Sequence, residues 1–366
     1  TQSRSSAASD VYKRQGQIRT GQTLDVSSLE TYLRSKMELP NSNFEVLQFP
    51  AGYSNLTYLL RWDNQEFVLR RPPHGAKIKS GHDMGREFKI LSGLQPIYPK
   101  IPRTYLFCDD LSVIDAPFYI MERLQGVIFR GHTPKEQLPA PAQMQMLSNE
   151  FVTTFAEIHA LDYHSVGLEN LGRPDGYVKR QVEGWTKRYI NAKTADIETI
   201  EKVYTWLNKN IPKKNHTAFI HNDFKYDNII FSQDDKLNIK GVLDWEMATI
   251  GDPLMDLGTT LGYWIQESDP DFMKKSNMNI SIEKGNLSRS ELVHKYAQIT
   301  NLPMDNITFY YVFGLFKITV IIQQIFYRYK NGFTTDARFK NLDQAVINYG
   351  KMGLQAFQKN KIENLF

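Results

Sequence analysis

The chain has 366 residues, 41% of them hydrophobic, enough to bury a large core and to divide into two parts of unequal size. Its 44 Lys and Arg against 40 Asp and Glu leave a formal charge of +4, too mild to argue for a nucleic-acid partner, and no nucleic-acid module is recognisable. The single cysteine, Cys108, excludes an internal disulfide and a cysteine-based zinc site, favours no oxidising compartment and leads us to expect a cytoplasmic protein.

Residues 1–15 are Ser-rich and polar and lack the apolar stretch of a secretory signal, so they are set apart as a non-native or disordered leader. Asp25 or Ser27 is placed to cap a helix running to Met37. Phe49-Pro50-Ala51-Gly52-Tyr53-Ser54-Asn55-Leu56-Thr57 lies between two β-type runs and predicts a turn that needs no ligand to explain it. Glu66-Phe67-Val68-Leu69-Arg70-Arg71, halted by Pro72-Pro73, predicts a strand. Period-two alternation sends Arg70 with Val68 and Arg71 to the other side, unless both are a solvated pair at a strand end. Residues 83–94 predict a short amphipathic helix with Phe88, Leu91 and Leu94 on its apolar side. Residues 118–126 predict an apolar strand, readable alone as an edge strand, running into Gly126. The pattern then turns helical at 142–161, 175–193, 196–210, 288–300, 304–330 and 337–359, with a Gly- and Asn-rich loop at 162–174. His159, in the first of these, reads as a core or capping histidine. The longest apolar segment, 309–327, is interrupted by Lys317, Gln323 and Gln324 and reads as a core helix, so no membrane partner is expected.

The chemistry gathers in His221-Asn222-Asp223-Phe224-Lys225-Tyr226-Asp227-Asn228, followed by Asp244 in Gly241-Val242-Leu243-Asp244-Trp245-Glu246. An acid, an amide five positions on and a second acid after an apolar strand are the parts that orient a hydroxyl and hold magnesium on ATP. Asp223 is suited to accept the hydroxyl proton. Asn228 offers a neutral oxygen and Asp244 charged ones, the hard donors magnesium takes alongside phosphate and water. Lys225, two residues after Asp223, can reach the transferred phosphate as a mobile point charge. Asp and Asn are also ordinary turn residues. What favours chemistry is the setting: 217–220, 229–231 and 237–243 predict three short strands presenting these groups at neighbouring loop ends.

With these motifs the chain resembles the aminoglycoside phosphotransferase and choline kinase superfamily, relatives of protein kinases, over residues 47–339. The run from Val242 to Gly258, with Asp244-Trp245-Glu246 and Gly251-Asp252-Pro253, is most similar to the branch related to the kinase-like domain fused to acyl-CoA dehydrogenases. The resemblance implies an α+β, two-lobed protein-kinase-like fold: a small antiparallel β lobe at 16–123 and a larger, mainly helical lobe at 124–366. It implies that Gly52 and Ser54 cover the nucleotide phosphates and that Arg70 stands where protein kinases use Lys. Glu87 would pair with that cation, and backbone groups near Glu122 and Leu124 would meet the adenine at the hinge. Any exposed helix also carries such a Glu.

Only Trp245 to Asp252 separate Asp244 from Pro253 and the helix it starts, too short a segment to dock a peptide, so the acceptor is expected to be a small molecule. Asp256, inside that helix, is placed to brace the catalytic loop rather than bind metal. Lys179, Arg180, Lys187 and Arg188 on one predicted helix, and Lys317, Arg328 and Lys330 on another, lie near Trp185, Tyr177 and Tyr189. With Trp185, Lys187 and Arg188 as acceptor contacts, they point to an anionic hydroxyl compound such as a hydroxyacyl-CoA. An aminoglycoside or amino-alcohol kinase, or a nucleotide-binding regulatory module without turnover, are the alternatives. The expected ligands are ATP, magnesium and a small-molecule hydroxyl acceptor, bound by a monomer or homodimer.

Overall fold

The computed structural model describes residues 18–19, 22–49, 55–73, 82–234, 236–275 and 279–366; the expected phosphate contacts Gly52 and Ser54, and the leader, lie outside them. In chain order the regular elements begin with α1 (Val26–Lys36), β1 (Phe44–Gln48), β2 (Leu56–Trp62), β3 (Gln65–Arg71), α2 (Met84–Leu94), β4 (Thr104–Cys108), α3 (Leu111–Ile114) and β5 (Phe118–Glu122). There follow α4 (Pro141–His159), α5 (Tyr177–Ala192), α6 (Glu198–Lys209), β6 (Ala218–Ile220), β7 (Ile229–Phe231), β8 (Ile239–Val242) and β9 (Thr249–Gly251). The chain ends with α7 (Pro253–Tyr263), α8 (Asp271–Lys274), α9 (Arg289–Thr300), α10 (Ile307–Lys330) and α11 (Leu342–Lys359).

Contacts divide the chain into two compact units. The first contains the residues up to Ile128 together with Tyr163–Leu168 and Asn228–Ala248; the second contains Phe129–Asp162, Glu169–Asp227 and Thr249–Phe366. The expected single boundary at 123/124 therefore misses a return of the chain to the first unit. The reason is backbone pairing: Val127 and Phe231 exchange two hydrogen bonds of 2.8 Å, and the Val242 N–H donates to the Lys100 carbonyl at 2.8 Å. Gly126 permits this approach, since a Cβ there would sit 2.2 Å from the Phe231 carbonyl oxygen.

In the first unit an antiparallel sheet runs in the order β1-β2-β3-β5-β4, so β5 is internal and not an edge. A turn at Asp63, with φ 48°, joins β2 to β3, a conformation Asp tolerates better than most side chains. Alternation then divides the faces. Tyr58, Leu60, Trp62, Leu69, Phe118 and Ile120 pack with Leu29 and Leu33 of α1, each buried aliphatic side chain contributing roughly 1.5–3 kcal/mol. Arg70 takes the opposite face, toward α2, where Phe88 lies 5.6 Å from Phe107 between ring centroids. Asp25 and Asp83 cap α1 and α2 through the N–H groups of Ser28 and Arg86.

The second unit is helical around α10. This helix is long and apolar enough to cross a membrane, and 72% of its most apolar window is buried inside the protein against neighbouring helices. It meets α7 backbone to backbone at Gly258 and Gly314: a Cβ on Gly314 would lie 1.9 Å from the Gly258 carbonyl oxygen. The three short strands expected as neighbours do not form one sheet. Ile220 of β6 pairs with Thr249 of β9 in the second unit, whereas Ile229 of β7 pairs with Val242 of β8 in the first.

Candidate active site

In the first unit, β3 delivers Arg70 to a cluster of acids. Its Nη1 donates to Glu87 Oε1 at 2.9 Å, and its Nη2 to Asp244 Oδ1 at 3.0 Å and Glu246 Oε2 at 3.5 Å. Arg71, on the other face, is buried and spends its donors on the carbonyls of Ile114 and Pro72, so neither is a solvated strand-end Arg. Alternation leaves the choice between the two open, and these contacts give the acids to Arg70. Glu87 is fully buried, and burial pushes its carboxyl above the usual range while the Arg70 charge pulls the other way. Burial works against the Arg70 charge in turn, but Glu87, Tyr119, Asp244 and Glu246 outweigh it and hold the guanidinium protonated.

Asn228 and Asp244 are brought to the same end of the β7–β8 hairpin. Ile229 pairs with Val242, and one step on, the Leu243 N–H donates to the Asn228 carbonyl at 2.8 Å. Asp244 follows in a left-handed conformation with φ 68°, uncommon for a residue with a side chain and frequent at functional positions. The buried Trp245 anchors the turn through Nε1 to the Val242 carbonyl at 2.9 Å. Glu246 accepts from Asn55, whose Oδ1 lies 2.9 Å from His82 Nδ1. At the hinge positions, the Glu122 N–H is engaged with the Arg103 carbonyl at 2.7 Å, while the backbone of Leu124 makes no hydrogen bond among the described residues.

The second unit holds His221 to Asp227, the loop expected to carry the base. Asp256 of α7, fully buried, accepts from the backbone N–H of His221 at 2.7 Å and of Asn222 at 3.0 Å, the brace expected of it. His159 Nε2 lies 3.2 Å from the same carboxylate, and its Nδ1 lies 2.6 Å from the Tyr296 hydroxyl. Burial opposes the Asp256 charge, but His159 and the N–H donors together hold its pKa below the usual carboxylate value. Asn222 is left-handed with φ 67°. Its carbonyl accepts from Lys317 Nζ at 2.8 Å.

Asp223 and Lys225 are brought together. The ammonium donates to both carboxylate oxygens, at 2.8 and 2.7 Å, and lies 4.8 Å from the Tyr263 ring. The Tyr263 phenol also hydrogen-bonds Asp223, a residue no sequence pattern marked. Burial opposes the Lys225 charge, and Asp223 more than compensates, so its pKa is raised. Instead of waiting as a mobile charge, Lys225 is held on the proposed base. Asp227 is pushed up to about 6, chiefly by burial, with Lys225 and Arg130 opposing.

Most of the cations expected to meet the acceptor are engaged elsewhere. Of the seven counted from sequence, Lys179 pairs with Glu183, Arg180 holds the carbonyls of Arg173 and Asp175, Lys317 faces Asn222 and Lys330 donates to the Thr194 carbonyl. Lys187 and Arg188 remain on the exposed side of α5 and Arg328 is exposed on α10, with the Arg188 guanidinium 4.6 Å from the ring centroid of the largely buried Trp185.

The family model described as "Phosphotransferase enzyme family" matches residues 45–276. Acyl-CoA dehydrogenase family member 11 of Pongo abelii is 36% identical over 339 residues, 89% of this chain and 42% of that protein. Member 10 of Mus musculus is 31% identical over 325 residues, 87% of this chain and 30% of its own length. The chain therefore spans less than half the length of these relatives. A crystal structure of a candidate aminoglycoside phosphotransferase from Ralstonia eutropha, 28% identical, superposes with a TM-score of 0.77 over 92% of this chain and 99% of that one. Choline kinase from Cryptosporidium parvum shares the fold, with a TM-score of 0.62, 13% identity and coverage of 92% and 96%.

Proposed function

We propose that this chain, which belongs to the phosphotransferase enzyme family and so is a small-molecule kinase, moves the γ-phosphate of ATP to a hydroxyl with the help of magnesium. The observation that carries the reading is the chain of ion pairs Glu87–Arg70–Asp244 at the end of the hairpin that also bears Asn228. The residues fit a magnesium-bound nucleotide. Three carboxylates share one guanidinium, an excess of negative charge that a divalent cation offsets. The buried Nε–H of Arg70 has no acceptor among the described residues, which suits an anionic oxygen. Among the described residues no three His, Cys, Asp or Glu side chains form a metal-binding group, so Asp244 and Asn228 would supply two hard donors beside phosphate and water. Bound there, magnesium would neutralise charge on the phosphate oxygens.

The chain's own residues would then do the following. Arg70, fixed by Glu87, would grip phosphate oxygens; Gly52 and Ser54 would cover them, and the Leu124 backbone, beside Glu122, would meet the adenine. Asp223 would take the hydroxyl proton as that oxygen bonds phosphorus and the bond to ADP breaks. Lys225 and Tyr263 would hold the Asp223 carboxylate in place until then, and Lys225 would turn to the transferred phosphoryl group. Trp185, Lys187 and Arg188 support an anionic acceptor, and the names of the acyl-CoA dehydrogenase relatives support a hydroxyacyl-CoA. A cytoplasmic monomer or homodimer is in keeping with this reading.

The test is ADP formation from ATP with a panel of hydroxyacyl-CoA thioesters, amino alcohols and aminoglycosides. Asp223→Ala should cut turnover by at least about 10²-fold with nucleotide binding retained. Asp244→Ala should abolish the magnesium dependence of ATP binding by calorimetry. Unchanged turnover in the first variant would refute the base; unchanged magnesium dependence in the second would refute the metal ligand.

A further inference from the structure

Lys317 is the one charged residue of α10 before Arg328, set in the helix's most buried stretch with 5% of its surface exposed. A buried ammonium is costly unless it is held by specific partners, and an aliphatic side chain would serve packing better. Its hydrogen bond goes to the Asn222 carbonyl at 2.8 Å, and its Nζ lies 5.8 Å from the Trp185 ring centroid. That carbonyl is the one hydrogen-bond acceptor it has among the described residues. Asn222 is thereby clamped on both sides, its N–H by the Asp256 carboxylate at 3.0 Å and its C=O by an ammonium. The residue so held is left-handed, a conformation Asn adopts more readily than most side chains, and the two contacts hold it there. The next residue is Asp223.

We propose that Lys317 is a positioning residue for phosphoryl transfer: by holding the Asn222 carbonyl it fixes the peptide between Asn222 and Asp223 and presents the Asp223 carboxylate in one orientation. The proposal rests on the reading of Asp223 as the base. The groups around the ammonium are Asp256 from α7, Asp223 and Lys225 from the loop, and Trp185 and Arg188 from α5. Burial lowers its pKa to about 8, with Lys225 and Arg188 acting in the same direction and the two carboxylates opposing. The clamp therefore loosens as pH rises through that value.

The experiment measures ADP formation from magnesium and ATP, with water and with a hydroxybutanoyl thioester of CoA as acceptors, for the wild type, Lys317→Met, Lys317→Arg and Asp223→Asn. Lys317→Met should lower kcat by about 10- to 100-fold while KM for ATP stays within about two-fold. The wild type should lose kcat above pH 8; Lys317→Arg, charged at every accessible pH, should shift that loss upward by at least one unit, and Lys317→Met should lack it. A crystal structure of Lys317→Met should show the 222–223 peptide reoriented. The inference is overturned if Lys317→Met keeps wild-type kcat, if kcat falls only in proportion to the folded fraction measured by titration of active sites, or if the peptide is unmoved. Should Asp223→Asn retain full ADP formation, the base assignment fails first; loss there with an unaffected Lys317→Met defeats the positioning role alone.

Discussion

Replacing Arg70 by Met removes the guanidinium that pairs with all three acids of a cluster in which Glu87 is 1% exposed by side chain, Glu246 10% and Asp244 31%. Asp244 is close enough to water to lose little, and Glu246 keeps Asn55 as a donor. The cost falls on Glu87: a buried carboxylate stripped of its partner is worth about 3–5 kcal/mol of stability. The sign follows from linkage. Glu87 already has its pKa raised above the unfolded value, and without Arg70 it rises further. A carboxyl of this kind binds more protons folded than unfolded. Stability is therefore fully present below the unfolded pKa and is lost as pH rises through the folded one. Urea unfolding at pH 7.5 should show the full deficit for Arg70→Met, and at pH 4.5 most of it should be gone. Arg70→Met combined with Glu87→Met should recover at least about 2 kcal/mol at pH 7.5, because a matched apolar pair leaves no unpaired charge. A double variant no more stable than Arg70→Met, or a deficit independent of pH, would falsify the reasoning.

Asp256→Asn should cost roughly 2–4 kcal/mol by weakening two backbone hydrogen bonds and the His159 contact; because its pKa is lowered, this contribution is present above the unfolded pKa and lost as pH falls through the folded one, which acid titration of unfolding checks. Lys317→Met should raise stability at pH 7 by roughly 2 kcal/mol, about 3 for the relieved burial of charge less about 1 for the lost hydrogen bond. Its unfolded state holds a proton more firmly than its folded state between pH 8 and the ordinary lysine pKa, so wild-type stability climbs across that window and the variant's advantage fades. Gly314→Ala should lower the melting temperature by several degrees, since backbone atoms of Gly258 stand where the methyl would go; Gly167→Ala, with nothing within 4 Å and only its positive φ to pay for, should cost about 1 kcal/mol.

Much of this architecture was legible because local rules agree with it. Period-two alternation put Arg70 and Arg71 on opposite faces without saying which meets the acids, and helical periodicity with Asp caps placed most helix ends within about two residues. Asp256 was found because a carboxylate in an apolar helix must find donors. The return of 228–248 to the first unit was not legible: strands of three and four residues are too short to show alternation, so their partners depend on tertiary pairing alone. Nor was the fate of Lys179, Arg180, Lys317 and Lys330 readable, because carbonyls and a helical neighbour satisfy them, and formal charge does not report on that. The solitary Lys in an apolar helix was the available hint for Lys317; Tyr263 offered none.

The meeting of Gly258 and Gly314 has a bearing on chemistry as well as on packing. Asp256 sits two residues from one glycine and Lys317 three from the other, and these are the two groups that grip Asn222 from either side. The spacing of α7 and α10 is thus the jaw setting of a vice, and it is set by the absence of two methyl groups. A side chain there would open the jaws by a fraction of the width of a carbon atom, so such variants should forfeit catalytic rate under conditions where their secondary structure is still intact.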